Sequence, residues 1–133
     1  MEFYNSGFSK IIIEEKTKTI YQVFFNTTSE MSDAEFRKDM EKMAIAYRKY
    51  PPKKVLVNQE NFNFTIEPST QEWISNEVAY ILVELETEKV AFVLSKEIFA
   101  QISVQMTMEE EVSSQLTTHY FETETEAREW LEI

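Results

Sequence analysis

Thr117-Thr118-His119-Tyr120-Phe121-Glu122-Thr123-Glu124-Thr125-Glu126-Ala127-Arg128-Glu129-Trp130-Leu131-Glu132-Ile133 reads as a strand, a capped turn and a helix, and that order decides the fold. Thr117 to Phe121 is dense in β-branched and aromatic side chains, which suit a pleated, half-buried surface. Thr123 and Glu126 have capping-box spacing, in which a hydroxyl and a carboxylate satisfy amides that the first helical turn leaves unpartnered. Ala127, Trp130 and Leu131 then recur at helical intervals. Strand followed by helix is the unit whose repetition builds a layered α/β sheet, so the preceding chain is expected to alternate in the same way.

Upstream, it does. Lys89 to Leu94 is an apolar run of strand length; Ser95 can cap a third helix carrying Ile98, Phe99, Ile102 and Met106, and the polar Met108 to Gln115 is assigned to neither state. Val55-Leu56-Val57 suits a buried strand, and Asn58 to Pro68 a loop. Ser69 or Thr70 can then cap a second helix with the stripe Ile74, Val78, Ile81, Leu82 and Leu85, although Tyr80 to Leu85 also passes for a strand. Ser32 and Glu35 have capping-box spacing before Phe36, Met40, Met43, Ala44 and Tyr47, and Pro51-Pro52, lacking amide hydrogens, ends that first helix. Phe8 to Glu14 and Thr19 to Phe25, with Glu15 to Lys18 between them, predict an antiparallel hairpin. The order is ββαβαβαβα. It predicts one α/β domain over residues 1–133, with a mixed sheet, helices packed on it, and residues 1–7 as a flexible terminus.

A chain of 133 residues fits one domain, and 43% hydrophobic content is too high for a disordered, solvating chain. No segment suits a bilayer span, Ile11-Ile12-Ile13 being far too short, and no export signal is indicated. The absence of cysteine removes disulfides and thiolate sites and agrees with a cytoplasmic location. The sequons at Asn26 and Asn63 are read as chance matches. Formal charge is −11, and it is uneven: residues 1–54 hold ten Lys/Arg and eight Asp/Glu, residues 55–133 three and sixteen. That balance repels nucleic acid and anionic lipid, which need clustered cations. An acidic half beside a mildly basic one admits a basic protein partner or head-to-tail self-association as a homodimer.

Catalytic chemistry is sparse. The one glycine, Gly7, leaves no Gly-rich turn for a nucleotide phosphate, so no nucleotide cofactor is expected. His119 is the only histidine and falls in a strand, which gives no zinc pair and no nucleophile–base arrangement. Glu109-Glu110-Glu111 points in three directions on a helix and reads as a solvated face, so no metal is expected. Glu60 and Glu67 are carboxylates without an identifiable catalytic partner. Trp130 reads as core. Phe62, Phe64 and Trp73, around the loop and the start of the second helix, are candidates to line a pocket for an apolar small ligand. Ser69 and Thr70 are candidate phosphoacceptors, because a phosphate at a helix amino terminus meets free amides and the positive end of the dipole.

The closing segment Thr118 to Leu131, with its aromatic strand, acidic turn and Ala127-x-x-Trp130-Leu131 helix, resembles the end of SpoIIAA-like proteins of the STAS-related group. Lys89-Val90-Ala91-Phe92-Val93-Leu94 is similar to the preceding strand in that group. The resemblance implies a compact α/β sandwich related to anti-sigma-factor antagonists and more remotely to lipid-carrier folds, with no enzymatic activity. Where phospho-regulated members have an Asp-Ser pair and a nearby Gly, this chain has Glu67-Pro68-Ser69-Thr70-Gln71-Glu72. The expected function is a non-enzymatic regulatory or protein-interaction domain; the alternative is a small-molecule or lipid-binding module with its pocket near the start of the second helix.

Overall fold

Six strands pair in the order in which the chain makes them: β1 (Glu2–Asn5), β2 (Ser9–Glu14), β3 (Thr19–Phe24), β4 (Lys54–Asn58), β5 (Lys89–Val93) and β6 (Thr118–Phe121). A computed structural model describes residues 1–133. β1, β2 and β3 are antiparallel, and β3 to β6 run parallel. Each parallel step is bridged by helix: α1 (Asp33–Lys49); α2 (Pro68–Ile74), which passes through a π turn at Ser75–Ala79 into α3 (Tyr80–Glu84); and α4 (Ile98–Glu109). α5 (Glu124–Leu131) closes the chain. The mixed α/β sheet with an amino-terminal antiparallel hairpin is therefore present. No helix is long and apolar enough to cross a membrane.

Alternation along the strands gives the sheet two apolar faces. Ile20, Phe24, Val55, Val57, Val90 and Phe92 meet Phe36, Met43 and Tyr47 of α1, Ile74, Val78 and Leu82 from Pro68–Glu84, and Val104 of α4. On the other face Leu56, Ala91 and Val93 meet Ala127 and Leu131, with Trp130 at the margin. Most of the expected core residues of the first, second and last helices fill a row presented by a parallel strand, whereas Met40, Ala44, Leu85 and Trp130, the last of them expected in the core, are half-buried beside it.

Local signals hold at two helix starts. Ser32 and Glu35 form a reciprocal capping box (Glu35 N to Ser32 Oγ 3.1 Å, Ser32 N to Glu35 Oε1 2.9 Å). Thr123 Oγ1 accepts the Glu126 amide at 3.2 Å. Two other starts differ from expectation. The N-cap of α2 is Glu67, not Ser69 or Thr70, because Pro68, with its fixed φ and no amide to satisfy, occupies the first helical position. The N-cap of α4 is Glu97, whose carboxylate accepts from Phe99 N and Ala100 N, while the Ser95 hydroxyl donates to the Phe62 carbonyl. Tyr80 to Glu84 is helix and not strand.

Residues 1–7 need correction. Glu2–Asn5 forms β1 against β2, and Phe3 meets Tyr50 edge-on. A buried carboxylate anchors this segment: Asp39 of α1, 1% exposed, accepts from Ser6 Oγ and Ser9 Oγ at 2.7 Å each and from the Tyr4 phenol at 3.3 Å. Sequence periodicity alone missed this latch, because Asp39 lies within an otherwise apolar buried row between Phe36 and Met43.

Candidate functional site

α4 turns its large apolar side chains to solvent and its small ones to the core. Its inward residues are Ala100, Ser103, Val104 and Thr107, while Phe99 is 68% exposed, Ile98 55%, Met106 46% and Ile102 43%. Ile98, Phe99, Ile102 and Met106, the apolar residues that the sequence places on this helix, thus form its outward side. Polar anchoring sets this orientation: Ser103 Oγ accepts the Ile66 amide at 3.0 Å and donates to the Ala100 carbonyl at 2.8 Å, and Thr107 Oγ1 donates to the Ser103 carbonyl at 2.8 Å. Small side chains on that face let the helix lie close, and the hydroxyls keep their hydrogen bonds. A run of large apolar side chains is left in water on one helix, an arrangement that marks contact surfaces more often than solitary exposed residues do.

Between the sheet and the helices lies a cavity of about 60 Å³, bordered by Gln22, Phe24, Phe36, Val78, Phe92 and Val104 among others. Gln22 is fully buried; its Nε2 donates to Ser9 Oγ at 3.2 Å, whereas its Oε1 has no hydrogen-bonding partner in the protein. The space suits a few waters at most. Tyr47 borders it as well, and burial drives its phenol well above the ordinary tyrosine range.

The residues singled out from sequence do not converge on this cavity. Phe62 is fully buried, with its ring centroid 4.6 Å from that of Phe24 and 5.7 Å from that of Phe36, and Phe64 lies 5.0 Å from Phe36. Trp73 is half-buried beneath the Arg37 guanidinium, 5.0 Å from the ring centroid. Thr70 is buried: its hydroxyl donates to Asp33 Oδ1 at 2.6 Å and accepts from Arg37 Nη2 at 2.9 Å. Ser69, its neighbour, is exposed. Glu60 pairs with Lys96 at 3.1 Å, and Glu67 serves as the α2 cap. His119 is stacked on Trp130, 4.4 Å between centroids and 10° between planes.

One further polar cluster lies beneath α5. The Glu124 carboxylate accepts from the Tyr21 phenol at 2.6 Å, Asn58 Nδ2 at 3.0 Å and Arg128 Nε at 2.9 Å. Burial works to raise its pKa, but the bonds from Tyr21, Asn58 and Arg128 outweigh burial and hold the carboxyl below its usual range. Because the folded pKa is depressed, the stabilisation is present above the unfolded pKa and lost as pH falls through the folded value. Acid titration of thermal stability should therefore show a steeper loss below about pH 4 for the native chain than for Glu124→Gln. Parallel acid limbs for the two proteins would remove this group from the account. The cluster satisfies itself internally and offers no free group for chemistry.

Compared with family models, curated proteins and solved structures, the chain matches none.

Proposed function

We propose that this chain is a non-enzymatic, STAS-like regulatory or protein-interaction domain acting in the cytoplasm. The observation that carries the reading is the outward apolar face of α4, where a helix anchored by small and hydroxyl side chains leaves Ile98, Phe99, Ile102 and Met106 in solvent. Water-exposed apolar surface has a cost that a partner relieves. The parallel β3–β6 sheet and the closing strand and helix agree with the STAS resemblance; fold likeness alone assigns no activity, so the surface bears the functional argument. If the domain is phosphorylated at the start of α2, Ser69 is the accessible acceptor, since the Thr70 hydroxyl is engaged by Asp33 and Arg37.

A photo-crosslinking amino acid at position 102 should give discrete protein adducts in the native cell, whereas the same group at the exposed turn residue Thr17 should give none. Adding Phe99→Asp should erase the adducts. Equal labelling from both positions, or none from position 102, would sink the reading. The alternative, an apolar-ligand module at Phe62, Phe64 and Trp73, is separated from it by the stability effect of Phe62→Ala treated in the Discussion.

A further inference from the structure

The chemistry around α4 says more than its apolarity does. Residues 97–111 contain four glutamates, Glu97, Glu109, Glu110 and Glu111, and no lysine or arginine. Ile98 and Glu109 lie eleven residues apart, close to three helical turns, so Glu109 continues the line of the exposed Ile98 and Ile102. Glu97 stands at the start of this face, and Glu110 and Glu111 at its end. The field of Glu109 extends to β6, where, after burial, its charge helps push the Tyr120 phenol up to about 12. Lys96, the basic residue that adjoins the helix, is tied to Glu60 at 3.1 Å. The apolar ridge is therefore framed by carboxylates alone along this stretch of chain.

A second copy is a poor occupant for such a surface, since it would set identical carboxylates against each other with −11 on each chain. We infer that the α4 face docks a basic amphipathic helix of another protein. This rests on the interaction-domain reading above and names the class of partner. The ridge Ile98, Ile102 and Met106 has the i, i+4 spacing that fits the groove of a second helix. Phe99 beside it supplies an aromatic anchor of the kind that dominates binding energy. Lysines and arginines flanking the partner's apolar stripe would meet Glu97 at one end and Glu109 to Glu111 at the other, which speeds encounter and rejects acidic helices.

The test uses the whole chain, immobilised and challenged with a displayed library of helical peptides that have fixed apolar positions and random flanks. Recovered peptides should carry Lys or Arg beside the apolar stripe. A synthesised example should lose about tenfold or more in affinity for Phe99→Asp, even though that variant is more acidic. Phe99 is 68% exposed, so the variant is expected to fold. The triple variant E109Q/E110Q/E111Q should weaken binding and flatten its salt dependence. Neutral or acidic peptides that are recovered and then lost on Phe99→Asp would overturn the basic partner while leaving the interaction reading intact. No recovery, or undiminished binding to Phe99→Asp, would overturn both. Sedimentation showing a native dimer that Phe99→Asp converts to monomer would assign the face to a second copy and end the inference.

Discussion

Asp39→Ala is expected to lower stability by about 3 kcal/mol, because it removes the common acceptor of three hydroxyl groups, one of which, that of Ser9, is fully buried. Ser6 and Ser9 each donate to the carboxylate at 2.7 Å and Tyr4 at 3.3 Å, and Ser9 in turn accepts from Gln22. Deleting the acceptor strands the buried Ser9 donor and releases the half-buried Tyr4 and Ser6; in Asp39→Asn one carbonyl oxygen remains, and the loss should be smaller. The damage should also be local before it is global, since Tyr4 and Ser6 belong to and follow β1, the edge strand that Asp39 fastens to α1. Amide exchange in β1 should quicken more than exchange in β4, and the urea midpoint should fall at unchanged slope. A midpoint within error of the native value would show that the latch contributes nothing.

Phe62→Ala should cost roughly 3–5 kcal/mol, the range found when a fully buried aromatic leaves a hole. Its ring is enclosed by those of Phe24, Phe36 and Phe64, and its backbone is fixed from two sides: the Phe62 amide donates to the Gln59 carbonyl, and its own carbonyl accepts from Ser95. A side chain lining an open ligand pocket would behave differently, with little loss of stability and a change in ligand uptake. Chemical denaturation of Phe62→Ala beside Phe62→Leu therefore separates a packed aromatic cluster from a binding site. A loss below about 1 kcal/mol for the alanine variant would favour the pocket.

Much of the architecture could be read from local chemistry. Ser32 with Glu35 and Thr123 with Glu126 start helices because their side chains satisfy amides within the same turn, information that is wholly contained in adjacent residues. The rows Val55 to Val57 and Val90 to Val93 are apolar on both faces because helices cover both, and that too shows in the sequence. What could not be read depends on distant partners. β1 exists by virtue of an aspartate more than thirty residues away. α4 has an apolar stripe, but periodicity cannot say which side of a helix faces inward when the opposite side offers Ala100, Ser103, Val104 and Thr107; the deciding bond is from Ser103 to the Ile66 amide. Phe62 and Phe64, from the aromatic-rich loop, pack on each other and on Phe36, since aromatic side chains attract each other as readily as they attract a ligand.

β3 is the strand at which this sheet changes direction, and that fixes a sequence of events in time. On one side, β2 joins it across the short turn Glu15 to Lys18, a closure that takes microseconds. On the other, β4 finds it only after the chain has travelled through α1, and β5 and β6 wait on two more excursions of similar length. Parallel pairings of this kind delay folding because loop entropy is lost before contacts repay it. During that interval Val55-Leu56-Val57 and Val90-Ala91-Phe92-Val93 stand uncovered, both low in charge and rich in strand formers. The same two segments that make the centre of the finished sheet are thus the ones by which partly folded molecules would adhere to one another.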